Sequence, residues 1–307
     1  MEFILARWIT FAATLLTIGC CALGVVIIPR SRAEQKTRWQ LSADVARLGT
    51  LTCLVLIPAS LLRLTDQLLA LRSPGDPILA GMRPLLLSTT WGTGFLCQML
   101  ALSVALSGLL FARRSAASPW AWCGAAAGAI GLGVTLSLQG HAIGNEQYTL
   151  IAVLADATHV LAAGVWIGTI SVIGALGVTI RNADGVVAPE REARADARLR
   201  LLVPLVPPVA LTGAALLLIS GVISSLLQLR DVQDLWTAAW GRYVALKALL
   251  VLVVVTLGAR NWRQLGPRLH EAGGLRALRR TLLLEVAVAS LVLFVTALLV
   301  VTPLPGE

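Results

Sequence analysis

The segment Thr149-Leu-Ile-Ala-Val-Leu-Ala-Asp156-Ala-Thr-His159-Val-Leu-Ala-Ala-Gly164-Val-Trp166-Ile-Gly168, running on to Ile180, decides the fold. Asp156 and His159 are the only ionisable residues in that span. A soluble helix of this length would carry a polar face, and this one has none. If it is helical throughout, it is about 48 Å long against a hydrocarbon core of about 30 Å. It therefore crosses a bilayer with length to spare, and the surplus is expected on the outer side because Arg181 marks the inner end.

Working outward, seven more apolar runs of similar character appear, for eight in all. They lie near Trp8–Ile28, Val45–Leu62, Trp91–Phe111, Trp120–Leu138, Thr149–Ile180, Leu201–Leu227, Tyr243–Leu257 and Thr281–Val301. Several open on Trp or Tyr, which favour the membrane interface. Of the 307 residues 57% are hydrophobic and only 13% charged, about half the charged share of a soluble protein. The predicted fold is all-α: a bundle of eight transmembrane helices forming one membrane domain over residues 1–307. That composition excludes a soluble enzyme, a disordered chain and a disulfide-stapled secreted domain. A transmembrane barrel is excluded too, because its strands would alternate apolar and polar residues.

Charge orients the bundle. The first loop holds Arg30, Arg32, Lys36 and Arg38, and the third Arg113 and Arg114. The fifth holds Arg181, Arg191, Arg194, Arg198 and Arg200, and the seventh Arg260, Arg263, Arg268, Arg276, Arg279 and Arg280. The stretch from Gln139 to Tyr148 and the tail after Val301 have no Lys or Arg. Positive-inside bias then places the odd loops in the cytoplasm and both termini outside. The net charge of +9 belongs to these helix ends rather than to a nucleic-acid surface. Cys20, Cys21, Cys53, Cys97 and Cys123 all fall within apolar runs and read as small packing residues. Thr17-Ile18-Gly19-Cys20 only faintly resembles a cleavage box, and the apolar run continues past it, so the first helix is expected to stay in place. Pro204, Pro207 and Pro208 predict a broken first turn in the sixth span, and the Arg181–Arg200 linker a short surface helix.

An ionisable group inside a span costs several kcal/mol unless it is paired or hydrated, so each is a functional candidate. Asp156, His159 and Trp166 recur at helical spacing on one face, with Gly164 beside them allowing a close neighbour. His141 and Glu146 lie just before this helix, at its outer end. His141, His159 and Asp156 are thus predicted to converge on one extracytoplasmic site, with Glu146 as a further donor and Trp166 packed beneath. Imidazole and carboxylate suit divalent copper, zinc or nickel. Monovalent copper would recruit sulfur, which is scarce: Met82 and Met99 are the only internal methionines and Cys97 the one cysteine in an outer half-span, so Cys97 and Met99 stand as further candidates. The alternative is a structural hydrogen-bonded pair, or a proton relay. Arg242 and Lys247 open the seventh span; Lys247 either snorkels outward or pairs with Asp156. Glu285 is expected to pair with Arg279 or Arg280. His270 lies in a basic loop and is expected to be solvated.

Three stretches carry a resemblance to the copper resistance protein D (CopD) family of bacterial inner-membrane proteins. They are Ser137-Leu-Gln-Gly140-His141-Ala142, then Asp156 to Gly168 with its Trp166-Ile-Gly168. The third runs from Leu211-Thr-Gly213 through Ser220-Gly221 and Trp240-Gly241-Arg242-Tyr243 to Lys247, ending in Asn261-Trp-Arg263. The similarity is strongest over residues 137–263. Family members usually carry Tyr where this chain has Trp240. The resemblance implies a non-enzymatic copper-handling role in the inner membrane, read as uptake, with copper as the ion and a periplasmic copper-binding protein as a partner. No Gly-x-x-x-x-Gly-Lys-Ser/Thr loop is present, so nucleotide hydrolysis by this chain is not expected to drive transport. The rival reading is a membrane b-type haem or quinone redox protein with His141 and His159 as axial ligands.

Overall fold

The computed structural model describes residues 2–72, 77–140, 147–178, 189–229, 231, 233–271 and 273–303. Helix dominates, and no strand occurs among the described residues. Eight helices are long and apolar enough to cross a membrane: α1 (Ile4–Arg30), α2 (Gln35–Ala70), α3 (Thr90–Arg114), α4 (Pro119–Ser137), α5 (Thr149–Gly177), α6 (Pro207–Gln228), α7 (Ala239–Leu265) and α8 (Gly274–Leu299). Each coincides with one of the eight apolar runs. The helices overrun the runs where their ends are polar. α2 begins ten residues before the apolar stretch, with Lys36, Arg38 and Asp44 in its first turns. Hydropathy marks only the part in hydrocarbon, whereas the backbone hydrogen-bond ladder continues into the polar zone.

α1 is the axis of the bundle. It packs against α2, α4, α5 and α8, and 67% of its apolar window is buried, against 17% for α6 and 6% for α7. The last two are peripheral, leaning mainly on α5 and α8 respectively. α1 tolerates Thr10 and Thr17 in the dry interior because each hydroxyl donates back to its own helix, to the carbonyls of Ala6 and Ala13.

Small residues set the crossings. On α3 and α4 a Cβ on Gly108 would stand 2.3 Å from the Ala125 nitrogen, and one on Gly128 2.2 Å from the Ala105 nitrogen. α1 and α5 meet as closely: a Cβ on Gly168 would lie 2.0 Å from the Leu15 carbonyl oxygen. Gly164–Gly168, on the same helix, forms a π-helical turn, and similar wide turns occur at Leu23–Ile27 and Asn261–Leu265.

The prolines act as expected. Val203–Leu205 is a tight 3-10 turn, and α6 starts afresh at Pro207. Within the linker, Pro189–Leu202 is a helix that buries Ala195, Leu199 and Leu202. Arg198 ties it to Asp44 of α2, and Arg279 of α8 reaches its Asp196 at 2.6 Å and Glu192 at 3.7 Å. That arrangement corrects the expectation for Glu285. Arg279 is engaged by the linker helix, and the Glu285 carboxylate instead accepts a 2.7 Å hydrogen bond from Asn261 Nδ2. Glu285 also lies deeper than expected, because α8 begins at Gly274 rather than Thr281. His270 is exposed and within 3.1 Å of Arg200 Nη1.

Candidate functional site

The site grows from the α5–α6 contact. Gly213, Leu217 and Ser220 are the buried residues of α6, at the spacing of one helical stripe. Gly213 lets that stripe sit directly on α5, since a Cβ there would meet Trp166 Cβ at 3.0 Å and the Ala162 carbonyl oxygen at 3.2 Å. Two turns further along α6 the stripe receives His159. The imidazole Nδ1 lies 3.1 Å from the Leu217 carbonyl oxygen and 3.3 Å from Ser220 Oγ. Ser220 donates its own proton to the Leu216 carbonyl at 2.6 Å, which leaves its oxygen as an acceptor towards the ring. Nδ1 must therefore carry the hydrogen, and Nε2 is the ring nitrogen with a lone pair to offer. Gly221 supplies the space for the ring, because a Cβ there would come within 3.1 Å of His159 Cε1.

Asp156 is one turn nearer the start of α5 and half-buried, as is His159. Lys247 of α7 is half-buried as well, and its charge acts on both Asp156 and His159. One carboxyl, one imidazole and one amine thus share a neighbourhood. Ser224, one turn along α6 from Ser220, has a buried hydroxyl with no hydrogen-bond partner among the described residues. Trp166 is 5% exposed and lies inside the π-helical turn. The wide turn offsets the simple helical spacing from His159, yet both side chains meet α6.

The remaining candidates are dispersed. His141 and Glu146 lie outside the described residues. Cys97 is exposed on α3 and Met99 half-buried against the core, on a helix whose main neighbours are α2 and α4. Arg242 is exposed and lines an open cleft with Ala239, Tyr243 and Leu246. Beside it, Gly241 is buried because a Cβ would stand 2.1 Å from the Asp234 carbonyl oxygen. Among the described residues no group of three or more His, Cys, Asp or Glu side chains gathers closely enough to hold a metal ion. The described part thus offers one imidazole and one carboxylate on α5, with Lys247 on α7.

Sequence reasoning passed over a second polar set in the interior. Gln98, fully buried on α3, donates to Ser60 Oγ of α2 at 3.2 Å and accepts from Gln139 Nε2 at 2.9 Å. Gln139 also reaches back to the Thr135 carbonyl, so the exit of α4, two residues before His141, is pinned. The rule applied to charged groups would have found Gln98 had it been extended to amides.

The family model described as Copper resistance protein D matches residues 207–299, and that for the Copper resistance protein D-like, N-terminal domain matches residues 2–151. The chain belongs to the copper resistance protein D family. The N-terminal match takes in α1 to α4, where the quoted motifs are few. Ser220, Gly221, Lys247, Asn261 and Glu285 fall in the second matched region, and His141 and Glu146 in the first. Asp156, His159 and Trp166 lie between the two. A relative, the copper transport protein CutJ of Bacillus subtilis (strain 168), is 28% identical over 178 residues, 58% of this chain and 30% of CutJ. The matched part thus spans less than a third of that relative's length. No solved structure matches.

Proposed function

We propose that this protein carries copper ions across the bacterial inner membrane towards the cytoplasm, as a multi-pass, non-enzymatic protein with both termini outside. The observation that carries this reading is the seating of His159. Metal-binding histidines commonly donate one ring hydrogen to a fixed acceptor, which sets the tautomer and turns the other nitrogen to the ion. His159 is held in that way by the Leu217 carbonyl. Asp156 supplies the carboxylate, and Lys247 balances its charge while the site is empty of cargo. An arriving copper ion would displace the ammonium and take the carboxylate with Nε2, and His141 would enter from the outer loop as a further donor. Copper is cargo in this scheme, so the modest donor set is an advantage: tight binding would halt release. Orientation rests on the Arg-rich odd loops, and delivery on a periplasmic copper-binding protein. Both family descriptions and the CutJ relative name copper and none names haem, which favours this reading over a haem protein.

The test is copper entry into proteoliposomes containing the full chain. His159→Ala should lower initial uptake at least tenfold while the purified variant elutes as the wild type does. Uptake at the wild-type rate by a well-folded His159→Ala protein would overturn the proposal.

A further inference from the structure

A deeply buried carboxyl, Glu285, lies on the α7–α8 contact, towards the membrane face that bears the Arg-rich loops. Glu285 is 1% exposed and Asn261 6% exposed. Asn261 Nδ2 donates to Glu285 Oε2 at 2.7 Å. The other two oxygens, Glu285 Oε1 and Asn261 Oδ1, are buried without a hydrogen-bond partner among the described residues. Asn261 opens the π-helical turn Asn261–Leu265, where the regular ladder widens and its own carbonyl accepts instead from Gly266 at 2.8 Å. Gly258 leaves a place for the carboxylate, since a Cβ there would lie 3.0 Å from Oε1.

Among the described residues no cation answers the carboxylate. On α8, Arg279 is taken by Asp196 and Glu192 and Arg280 is exposed. On α7, Arg260 is exposed and Arg263 lies 5.7 Å over the Trp262 ring. On α1, Arg7 is paired with Asp66 and Arg30 is exposed and bonded to the Val26 carbonyl, leaving only the thiols Cys20 and Cys21. On α5, the described ionisable groups are Asp156 and His159, about 20 Å or more along the helix from Gly174, which meets Val286. An unpaired carboxylate in such surroundings is among the most costly groups a membrane protein can hold. Two free oxygens are too few for a metal ion that asks for six or more. One hydrogen is what the pair lacks: on Oε1 it makes the carboxyl neutral and converts an orphaned acceptor into a donor.

We propose that Glu285 is an exchangeable proton-binding site, loaded in the resting protein, whose proton is released to the side of the Arg-rich loops when copper moves. The coupling rests on the copper reading above; the proton itself does not. α7 links the two sites, bearing Lys247 at one and Asn261 at the other, and it is the least buried of the eight helices.

Infrared spectroscopy of the full chain in lipid decides the proton. The wild type should show a protonated-carboxyl stretch that shifts in heavy water, fades on raising pH and is missing from Glu285→Gln. Glutamine keeps the neutral shape and offers a donor in place of the acid, so the variant should fold normally. Absence of the band in the wild type, its persistence in Glu285→Gln, or its failure to respond to pH would each overturn the site. Copper uptake into proteoliposomes under an imposed pH gradient tests the coupling. Wild-type uptake should change severalfold with the gradient and Glu285→Gln uptake should not; an equal response would overturn the coupling. A wild type that moves no copper under any gradient would remove the transport reading and with it the coupling, while the infrared result still decides the proton.

Discussion

At the scale of single residues, His159 derives its chemistry from its neighbours on α6. An imidazole free to rotate would present either nitrogen; one donating Nδ1–H to Leu217 presents Nε2. Gly221 is the residue that allows this, so Gly221→Ala should push the ring aside. We expect about tenfold weaker copper binding, the scale of losses when a ligand's support is removed. Isothermal titration of the purified variant checks it, and unchanged affinity would mean that the ring's orientation is not used. Asp156 and His159 were legible in the sequence because a charge in an apolar run stands out. The partners were not, since Leu217 contributes a backbone carbonyl, which every residue has.

At the scale of elements, the glycines of α5 divide into those that touch another backbone and those that do not. A Cβ on Gly168 would lie 2.0 Å from the Leu15 oxygen and 3.2 Å from the Gly19 nitrogen. Backbone cannot swing away as a side chain can, so Gly168→Ala must force α1 and α5 apart. A loss of about 2 kcal/mol or more is expected, measured by denaturant unfolding in micelles. Gly124, on α4, has nothing within 4 Å of its would-be Cβ. Gly124→Ala should therefore be neutral or slightly stabilising, by up to about 1 kcal/mol from helix propensity. Gly164 was readable as a point of close approach, and it meets Ile18 of α1. The π-helical turn around it was not readable, because an extra residue per turn leaves no trace in composition or hydropathy.

At the scale of the whole molecule, a tightly packed half built on α1 supports two loosely held helices, α6 and α7. The candidate site lies on the contact of α6 with α5. Elements with few buried contacts open most readily, which suits a path that must admit an ion and let it go. The proposed orientation has its own test. In a background without the five native cysteines, Asp231→Cys should react with a membrane-impermeant maleimide in intact cells, and His270→Cys only after permeabilisation. The reverse pattern would invert the bundle and turn the proposed uptake into export.

The sequence by itself determined the number of spans, their approximate limits and the few polar side chains that hydrocarbon should not tolerate. It could do so because the bilayer imposes length and polarity on each segment locally, whatever that segment packs against. Tertiary structure decided the pairings: Glu285 with Asn261 rather than Arg279, and His159 with the backbone of α6. Those depend on which helices become neighbours and how each is rotated. Side-chain burial across the entire bundle sets that rotation, and no single stretch of the chain encodes it.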